Sequence, residues 1–358
     1  MNALDTSRKQ WVGILSALLA GRDLAEADAE WAMGEVMRGA AGDVRLSALL
    51  VALRAKGETV AELHGLVRAM DAHVVRVDVD GPVLDIVGTG GDGADTVNIS
   101  TMSAIVAAAA GARIVKHGNR SASSACGSAD LLEELGVVID LPAAAVPRVL
   151  AEVGIAFCFA PVFHPAMRHA SPARRQLGVP TAFNLLGPLT NPAAAEAAAV
   201  GVADARMAPL VAGVLARRNR SALVFRGDDG LDELTVTTTS QVWNVLGGVV
   251  RREDFDPRDI GIALAPPGCL RGGAPAHNAE VTRGLLAGVR GPVRDAVLLS
   301  AAAGLAAATP SGGSVMERLG VGMARAARAI DSGDAAELLA RWILVTDKVS
   351  GNMTSPAG

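Results

Sequence analysis

Four stretches of the chain carry side chains able to hold an anion or a hard cation. The first is Asp85-Ile86-Val87-Gly88-Thr89-Gly90-Gly91-Asp92-Gly93, whose glycines let backbone N–H groups approach a ligand without interference from a Cβ. Its natural occupant is an anion. The stretch runs on into Thr96-Val97-Asn98-Ile99-Ser100-Thr101, four polar side chains at the expected start of a helix, where orphan N–H groups and the helix dipole favour phosphate. One such residue serves as an N-cap; four exceed what a cap needs, and Ser100 also offers a hard oxygen to magnesium. The second stretch, Lys116-His117-Gly118-Asn119-Arg120-Ser121-Ala122-Ser123-Ser124, precedes Gly127-Ser128. It supplies point and forked positive charge together with small hydrogen-bonding groups, all suited to phosphate. The third is Asp232-Glu233: adjacent carboxylates in a loop can face one hard cation, whereas on a regular strand they would diverge. The fourth contains His164, Met167, Arg168 and His169, followed by Arg174-Arg175. Its histidines are poorly spaced for a shared metal, no zinc set or Ser-His-Asp signature accompanies them, and an arginine there offers two-pronged pairing to a carboxylate.

These residues need elements to position them. From Thr6 to about Ala72 the apolar residues recur every three or four positions, with breaks near Gly21–Asp23, Gly42–Asp43 and Lys56–Glu58, which predicts about four short helices. At Val83–Val87 an apolar run enters the glycine cluster and is followed by a small-residue helix from about Met102, the order of a phosphate-binding βα unit. Further strands are expected at Arg113–Lys116, Val137–Ile139, Ala156–Phe159, Ala197–Gly201 and Ala222–Arg226, with helical periodicity at Pro142–Val153 and Met207–Arg218. Alternating strands and helices predict a mainly parallel sheet with helices packed on it. The Pro- and Gly-rich stretch Gly178–Pro192 reads as a crossing between layers, and Val349–Gly358 as a disordered tail.

Composition bounds the rest. A chain of 358 residues that is 50% apolar can bury a sizeable core, and a net charge of −4 gives no general attraction to nucleic acid or anionic membrane. Cys126, Cys158 and Cys269 form no Cys-x-x-Cys pair, so a reducing cytoplasm is expected. The apolar stretches at Ala104–Ala110 and Ala193–Val200 fall well short of the roughly 20 residues that span a bilayer. Trp11–Ala20, flanked by Asp5 and Asp23, suits an ordinary helix better than a signal peptide. Lysine occurs only at Lys9, Lys56, Lys116 and Lys348, although Lys and Arg together number 33. A chain that prefers arginine has kept a lysine at 116.

Taken in order and spacing, Gly88-Thr89-Gly90-Gly91-Asp92, Asn98-Ile99-Ser100-Thr101, Lys116-His117-Gly118-Asn119-Arg120, Phe183-Asn184-Leu185-Leu186-Gly187-Pro188-Leu189-Thr190-Asn191-Pro192 and Asp232-Glu233-Leu234 closely resemble the anthranilate phosphoribosyltransferases, over about residues 10 to 345. The resemblance implies a fold of the nucleoside phosphorylase and phosphoribosyltransferase type. A helical domain at 1–78, joined by a segment at about 175–192, accompanies an α/β domain at 79–174 and 193–348. It implies dimerisation through the helical part and an active site between the domains. It assigns phosphoribosyl pyrophosphate to Gly88, Gly91, Asp92, Thr96, Asn98, Ile99, Ser100 and Thr101, with Lys116, His117, Gly118, Asn119, Arg120, Ser121, Ala122, Ser123, Ser124 and Ser128 completing the cradle. Lys116 and Arg120 would act electrostatically. Ser100, Asp232 and Glu233 would hold two magnesium ions, and anthranilate would contact Gly88, Asn119 and Arg174, with His117 nearby.

Some positions depart from that family. Arg226 stands where a His is common, Pro180 where an Arg is, and Ser300 where an Asn is, while Met167 lies in a variable stretch. None is a predicted diphosphate or magnesium ligand. A pyrimidine nucleoside phosphorylase shares the fold and a glycine loop, but its Lys-His-Ser segment differs from Lys116-His117-Gly118-Asn119-Arg120. A nucleic-acid-binding relative on the same scaffold should carry extra basic surface, which the net charge does not suggest.

Overall fold

The computed structural model describes residues 3–121, 124–310 and 313–354. The chain divides into two compact units, Met1–Val75 with Phe163–Thr190, and Arg76–Val162 with Asn191–Gly358. The helical unit therefore ends at Val75 rather than 78 and its returning stretch begins at Phe163 rather than about 175. The Val75 N–H donates to the Phe163 carbonyl at 2.8 Å, which fixes both edges.

In the helical unit, α1 (Ala3–Leu19), α2 (Glu26–Met37), α3 (Gly42–Lys56) and α4 (Val60–Asp71) realise the expected four helices. Their apolar stripes close a core of Trp11, Ile14, Leu46, Leu50, Leu53, Leu63 and Leu66. Gly65 lets α4 approach α2 closely, since a Cβ there would overlap the Glu26 carbonyl oxygen. Thr59 and Glu62 form a reciprocal capping box at the start of α4. Glu62 is fully buried, accepts from Leu24 N–H at 2.8 Å, and meets Lys56 Nζ at 3.0 Å. The returning stretch adds the short helices Ser171–Leu177 and Phe183–Leu189.

The second unit is built on a seven-stranded sheet of order β3-β2-β1-β4-β5-β6-β7. Its strands are β1 (Leu84–Gly88), β2 (Ile114–Gly118), β3 (Ile155–Phe159), β4 (Ala197–Gly201), β5 (Ser221–Gly227), β6 (Ser240–Leu246) and β7 (Val249–Phe255). The first five pair in parallel and are largely buried on both faces, mostly by apolar residues, as strands covered on two sides are. Helix α5 (Ile99–Ala109) follows β1, and α6 (Ser128–Leu135) and α7 (Val146–Val153) lie between β2 and β3. The helix Pro292–Ala308 is buried along most of its length, and its Gly304 leaves room for Ile86 of β1. From β1 the strand order runs outward on one side through β2 and β3 and on the other through β4 and β5. Such a reversal opens a crevice at the carboxyl ends of the central strands, here β1 and β4.

Three expectations differ from the structure. Residues 137–139 form no strand; the Val138 N–H donates to Thr346 Oγ1 at 3.2 Å, so a helix side chain takes the place of a neighbouring strand. The sheet gains β6 and β7, an antiparallel hairpin around Gly247-Gly248, both at positive φ. That Gly-Gly turn was the available signal, masked because β7 is polar and exposed. Residues 349–354 continue the helix Asp334–Thr354 instead of forming a tail, anchored by buried Val349 and Trp342, and residues 355–358 lie outside the described ones. Among the described residues, no helix is long and apolar enough to cross a membrane.

Candidate active site

The crevice at the ends of β1 and β4 is occupied from the protein side by Asp232. Gly88 and Gly201 are paired in register across these strands. A Cβ at Gly88 would overlap the Asp232 carboxylate, and one at Gly201 the Asp232 carbonyl. Both glycines therefore clear space for the loop after β5. The Asp232 carboxylate accepts from Gly90 N–H at 2.7 Å, and the Thr89 N–H donates to the Gly201 carbonyl at 3.0 Å. The glycine loop is thus bound on one side to β4 and on the other to an acidic residue distant in sequence. Gly90 and Gly91 have φ of 65° and 81°, which favour glycine.

Next to Asp232, Glu233 is 7% exposed. Burial, and then the Asp232 charge, push its carboxyl well above the usual range; Ser300 and Lys116 oppose this. Asp232 is pushed up to about 7, by burial first and by the Asp92 charge second. Asp92 Oδ2 is buried with no hydrogen-bond partner. Three carboxylates crowded together with one lysine are short of positive charge, a deficit that a bound cation relieves. No group of three or more His, Cys, Asp or Glu among the described residues is arranged to enclose a metal on its own. The set instead fits magnesium, which takes one or two carboxylates and keeps waters and phosphate oxygens for the rest of its shell.

Lys116 is 1% exposed, and its Nζ donates to the Ile86 carbonyl at 2.6 Å and to Ser100 Oγ at 3.3 Å. Burial lowers its pKa, while Asp85 and Glu233 act in the opposite sense. Lys56, whose side chain is 4% exposed, is also desolvated, yet its hydrogen bonds to Asp23 and Glu62 carry its pKa above the ordinary value. The lysine of the site is the one left less completely paired. Asp85, pushed up to about 6 by burial, accepts from Asn191 Nδ2 at 2.7 Å and from His117 N–H at 3.3 Å. Asp85 and Asn191 thus brace β1 against β2, which carries Lys116 and His117.

Asn98 stands at the N-cap of α5 but makes no side-chain capping bond, so capping does not account for its amide. Thr96 forms an isolated antiparallel bridge with Arg271, while Ile99 and Thr101 are buried at the start of α5. In the serine loop, Ser121 and Ser124 hydroxyls meet at 2.7 Å and Ser128 Oγ donates to the Asn119 carbonyl at 3.1 Å. Gly118 is squeezed between Ser128 and Phe157. Ala122 and Ser123 lie outside the described residues. Arg120 is engaged elsewhere: its guanidinium pairs with Asp130 at 2.8 Å and Glu133 at 2.7 Å, both in α6, and lies 5.7 Å from the Phe159 ring centre. Arg174 belongs to the helical unit, where it stacks 5.1 Å from the centre of Phe183; burial lowers its pKa.

Of the residues singled out in the sequence, the fold brings Gly88, Ser100, Lys116, Asp232 and Glu233 together. Asp85, Asn191 and Gly201 stand within the motifs and strands read from the sequence but were given no part in the site there, and neither was the segment 270–278, which packs against the residues before α5. Of the departures, Ser300 lies beside the acidic pair, where it acts to lower the pKa of Glu233. Arg226 braces the site's rim, its Nε donating to the Ala203 carbonyl at 2.8 Å.

Residues 80–336 match the model of the glycosyl transferase family a/b domain, and residues 12–74 that of the same family's helical bundle domain. A protein of a Nocardioides species named anthranilate phosphoribosyltransferase is 59% identical over 94% of this chain and 98% of its own length. The crystal structure of anthranilate phosphoribosyltransferase from Thermus thermophilus has a TM-score of 0.86 at 43% identity, covering 93% of this chain and 99% of that one. The Saccharomyces cerevisiae enzyme in complex with PRPP and Mg has a TM-score of 0.85 at 27% identity, over 94% of this chain and 98% of that one.

Proposed function

The chain belongs to the glycosyl transferase family and, within it, to the anthranilate phosphoribosyltransferases, and from that premise we propose how its residues perform the transfer. Phosphoribosyl moves from 5-phosphoribosyl 1-pyrophosphate to the amine of anthranilate, giving N-(5-phosphoribosyl)anthranilate and diphosphate, the second step of tryptophan synthesis from chorismate. The bond from ribose C1 to the diphosphate oxygen breaks, a bond from C1 to the amine nitrogen forms, and the nitrogen gives up a proton. The observation that carries this reading is the convergence of Lys116, Ser100, Asp232 and Glu233 at the glycine loop.

Positive charge develops on the ribose as diphosphate leaves, so the protein's task is to stabilise the leaving group and hold the amine in line. Buried Lys116 supplies a fixed charge in a low-dielectric setting, where it is worth more than in water. The glycine loop and the start of α5 offer N–H groups to the phosphates. Ser100, Asp232 and Glu233 would hold magnesium, two ions per subunit, which would supply positive charge to offset the negative charge of the diphosphate. Gly91, Asp92, Thr96, Asn98 and Thr101 contact the ribose phosphate and diphosphate, and Asn119 through Ser124 with Ser128 complete the cradle. Arg120 joins it after exchanging Asp130 and Glu133 for phosphate. Anthranilate is held by Gly88, Asn119 and Arg174, whose fork suits a carboxylate. Its amine is already neutral and nucleophilic, so no strong base is needed. Three free thiols accord with a reducing cytoplasm.

The test is the fluorescence loss of anthranilate on mixing with the protein, phosphoribosyl pyrophosphate and magnesium. Magnesium-dependent consumption that chelator abolishes, and that Lys116→Ala reduces at least about a hundredfold, is the expected result. No consumption by folded protein would overturn the assignment.

A further inference from the structure

One side chain outside every residue assigned above ties three loops of the site together. Asn278, at 2% exposure, lies in the first turn of the helix Pro275–Leu286. Its Oδ1 accepts from Gly273 N–H at 2.8 Å, and its Nδ2 donates to Asn98 Oδ1 at 2.8 Å. Asn98 Nδ2 in turn donates to the Cys126 carbonyl at 2.9 Å. The two ends of this line are backbone groups of fixed polarity, an N–H and a C=O, so neither amide can be turned over without breaking it. The segment carrying Gly273 is also pressed against the residues before α5. Val97 N–H donates to the Leu270 carbonyl at 2.9 Å and Gly272 N–H to the Asp95 carbonyl at 2.7 Å. A Cβ at Gly272 would meet Thr96 O and Val97 N at 2.8 Å and Asn278 Oδ1 at 2.9 Å.

Asn98 needs such support. At the N-cap it has a φ of −73° and ψ of 67° and makes no capping bond, so its side chain would otherwise be free to rotate. Other N-caps of this chain, Thr59 and Ser314, hold their own helices through capping boxes. Here the fold orients the amide from outside instead.

We infer that Asn278 is a positioning residue for phosphoribosyl pyrophosphate. It touches no reactant; it fixes the amide plane of Asn98 and, through it, the spacing between the start of α5 and the end of the serine loop at Cys126. The inference rests on the reading of Asn98 as a contact to that substrate. A preorganised amide spares the substrate the cost of ordering it.

The experiment is a double-mutant cycle of Asn278→Asp and Asn98→Ala, read by calorimetric titration with phosphoribosyl pyrophosphate in magnesium buffer and by steady-state kinetics. Asn278→Asp keeps the acceptor for Gly273 and loses the donor to Asn98. Its affinity for phosphoribosyl pyrophosphate is expected to fall on the order of tenfold, with the KM for anthranilate unchanged, and the double variant to bind no worse than Asn98→Ala alone. Additive losses, or an unchanged affinity in Asn278→Asp, would overturn the inference while leaving Asn98 in place. An unchanged affinity in Asn98→Ala would overturn the reading beneath it, and the inference with it. If the buried aspartate unfolds the protein, the same cycle with Asn278→Ser, uncharged and smaller, separates these outcomes in the same way.

Discussion

Gly201 and His164 show how single residues constrain this molecule through what surrounds them. Gly201 ends β4 where a Cβ would overlap the Asp232 backbone, and a backbone oxygen cannot swing aside as a side chain can. Gly201→Ala should therefore cost at least about 2 kcal/mol of stability, seen as a lower urea midpoint, and should also disturb Asp232 and lower activity. His164 is 5% exposed, its Nε2 lies 3.0 Å from the Thr190 carbonyl, and burial lowers its pKa from 6.5 to about 4. The unfolded chain takes up a proton below about pH 6.5, whereas the folded protein refuses it until about pH 4. Stability is therefore full above the unfolded value and is lost as pH falls through this window, by up to about 3 kcal/mol. In His164→Gln the loss of urea stability between about pH 7 and about pH 5 should be smaller; an unchanged pH slope would exclude His164 as its source. Neither role is readable from residue type. Gly201 looks like an ordinary strand terminus, and His164 like part of a histidine-rich surface loop.

At the scale of elements, local signals held wherever the element depends on its own chain. The four helices of the first unit follow their apolar periodicity, and the glycine loop leads from β1 towards α5 as the residue pattern requires. Capping is a local device of the same kind: Thr59→Ala should lower stability by about 1 kcal/mol, measured by urea unfolding. The effect should be larger than for an exposed threonine, because Glu62, the other half of the box, also holds Leu24 and Lys56. Local signals failed where an element is defined by its partner. Residues 137–139 are apolar like a strand, but the Val138 N–H is taken by Thr346 Oγ1 of a helix rather than by a neighbouring strand. In β7, Val249–Phe255, charged residues stand in a strand because β6 supplies the ladder, one face of an edge strand being open to water. The C-terminal segment is helical to Thr354 because Trp342, Thr346 and Val349 are buried in the second unit.

For the whole molecule, the helical unit leaves apolar residues uncovered at a regular interval. Val12 and Leu19 of α1 are 59% and 81% exposed, and Val44 and Val51 of α3 are 84% and 48% exposed; within each helix the pair is seven residues apart and so shares a face. We propose that these residues form the interface of the homodimer that the resemblance implies, since exposed apolar surface of this kind favours association. Val12→Asp combined with Val44→Asp should halve the mass measured by light scattering, and a wild-type monomer would sink the proposal. What the sequence determined by itself was chemistry and backbone: which loops must be glycine, which stretches carry groups suited to phosphate and a hard cation, and which stretches are helical. Only tertiary structure decided which distant residues complete those loops. Gly90 and Asp232 are 142 residues apart, and Asn98 and Asn278 are 180 apart. No local preference encodes such a pairing, because it follows from how strand order and helix packing close the chain, and that is settled by burial of the whole core rather than by any segment alone.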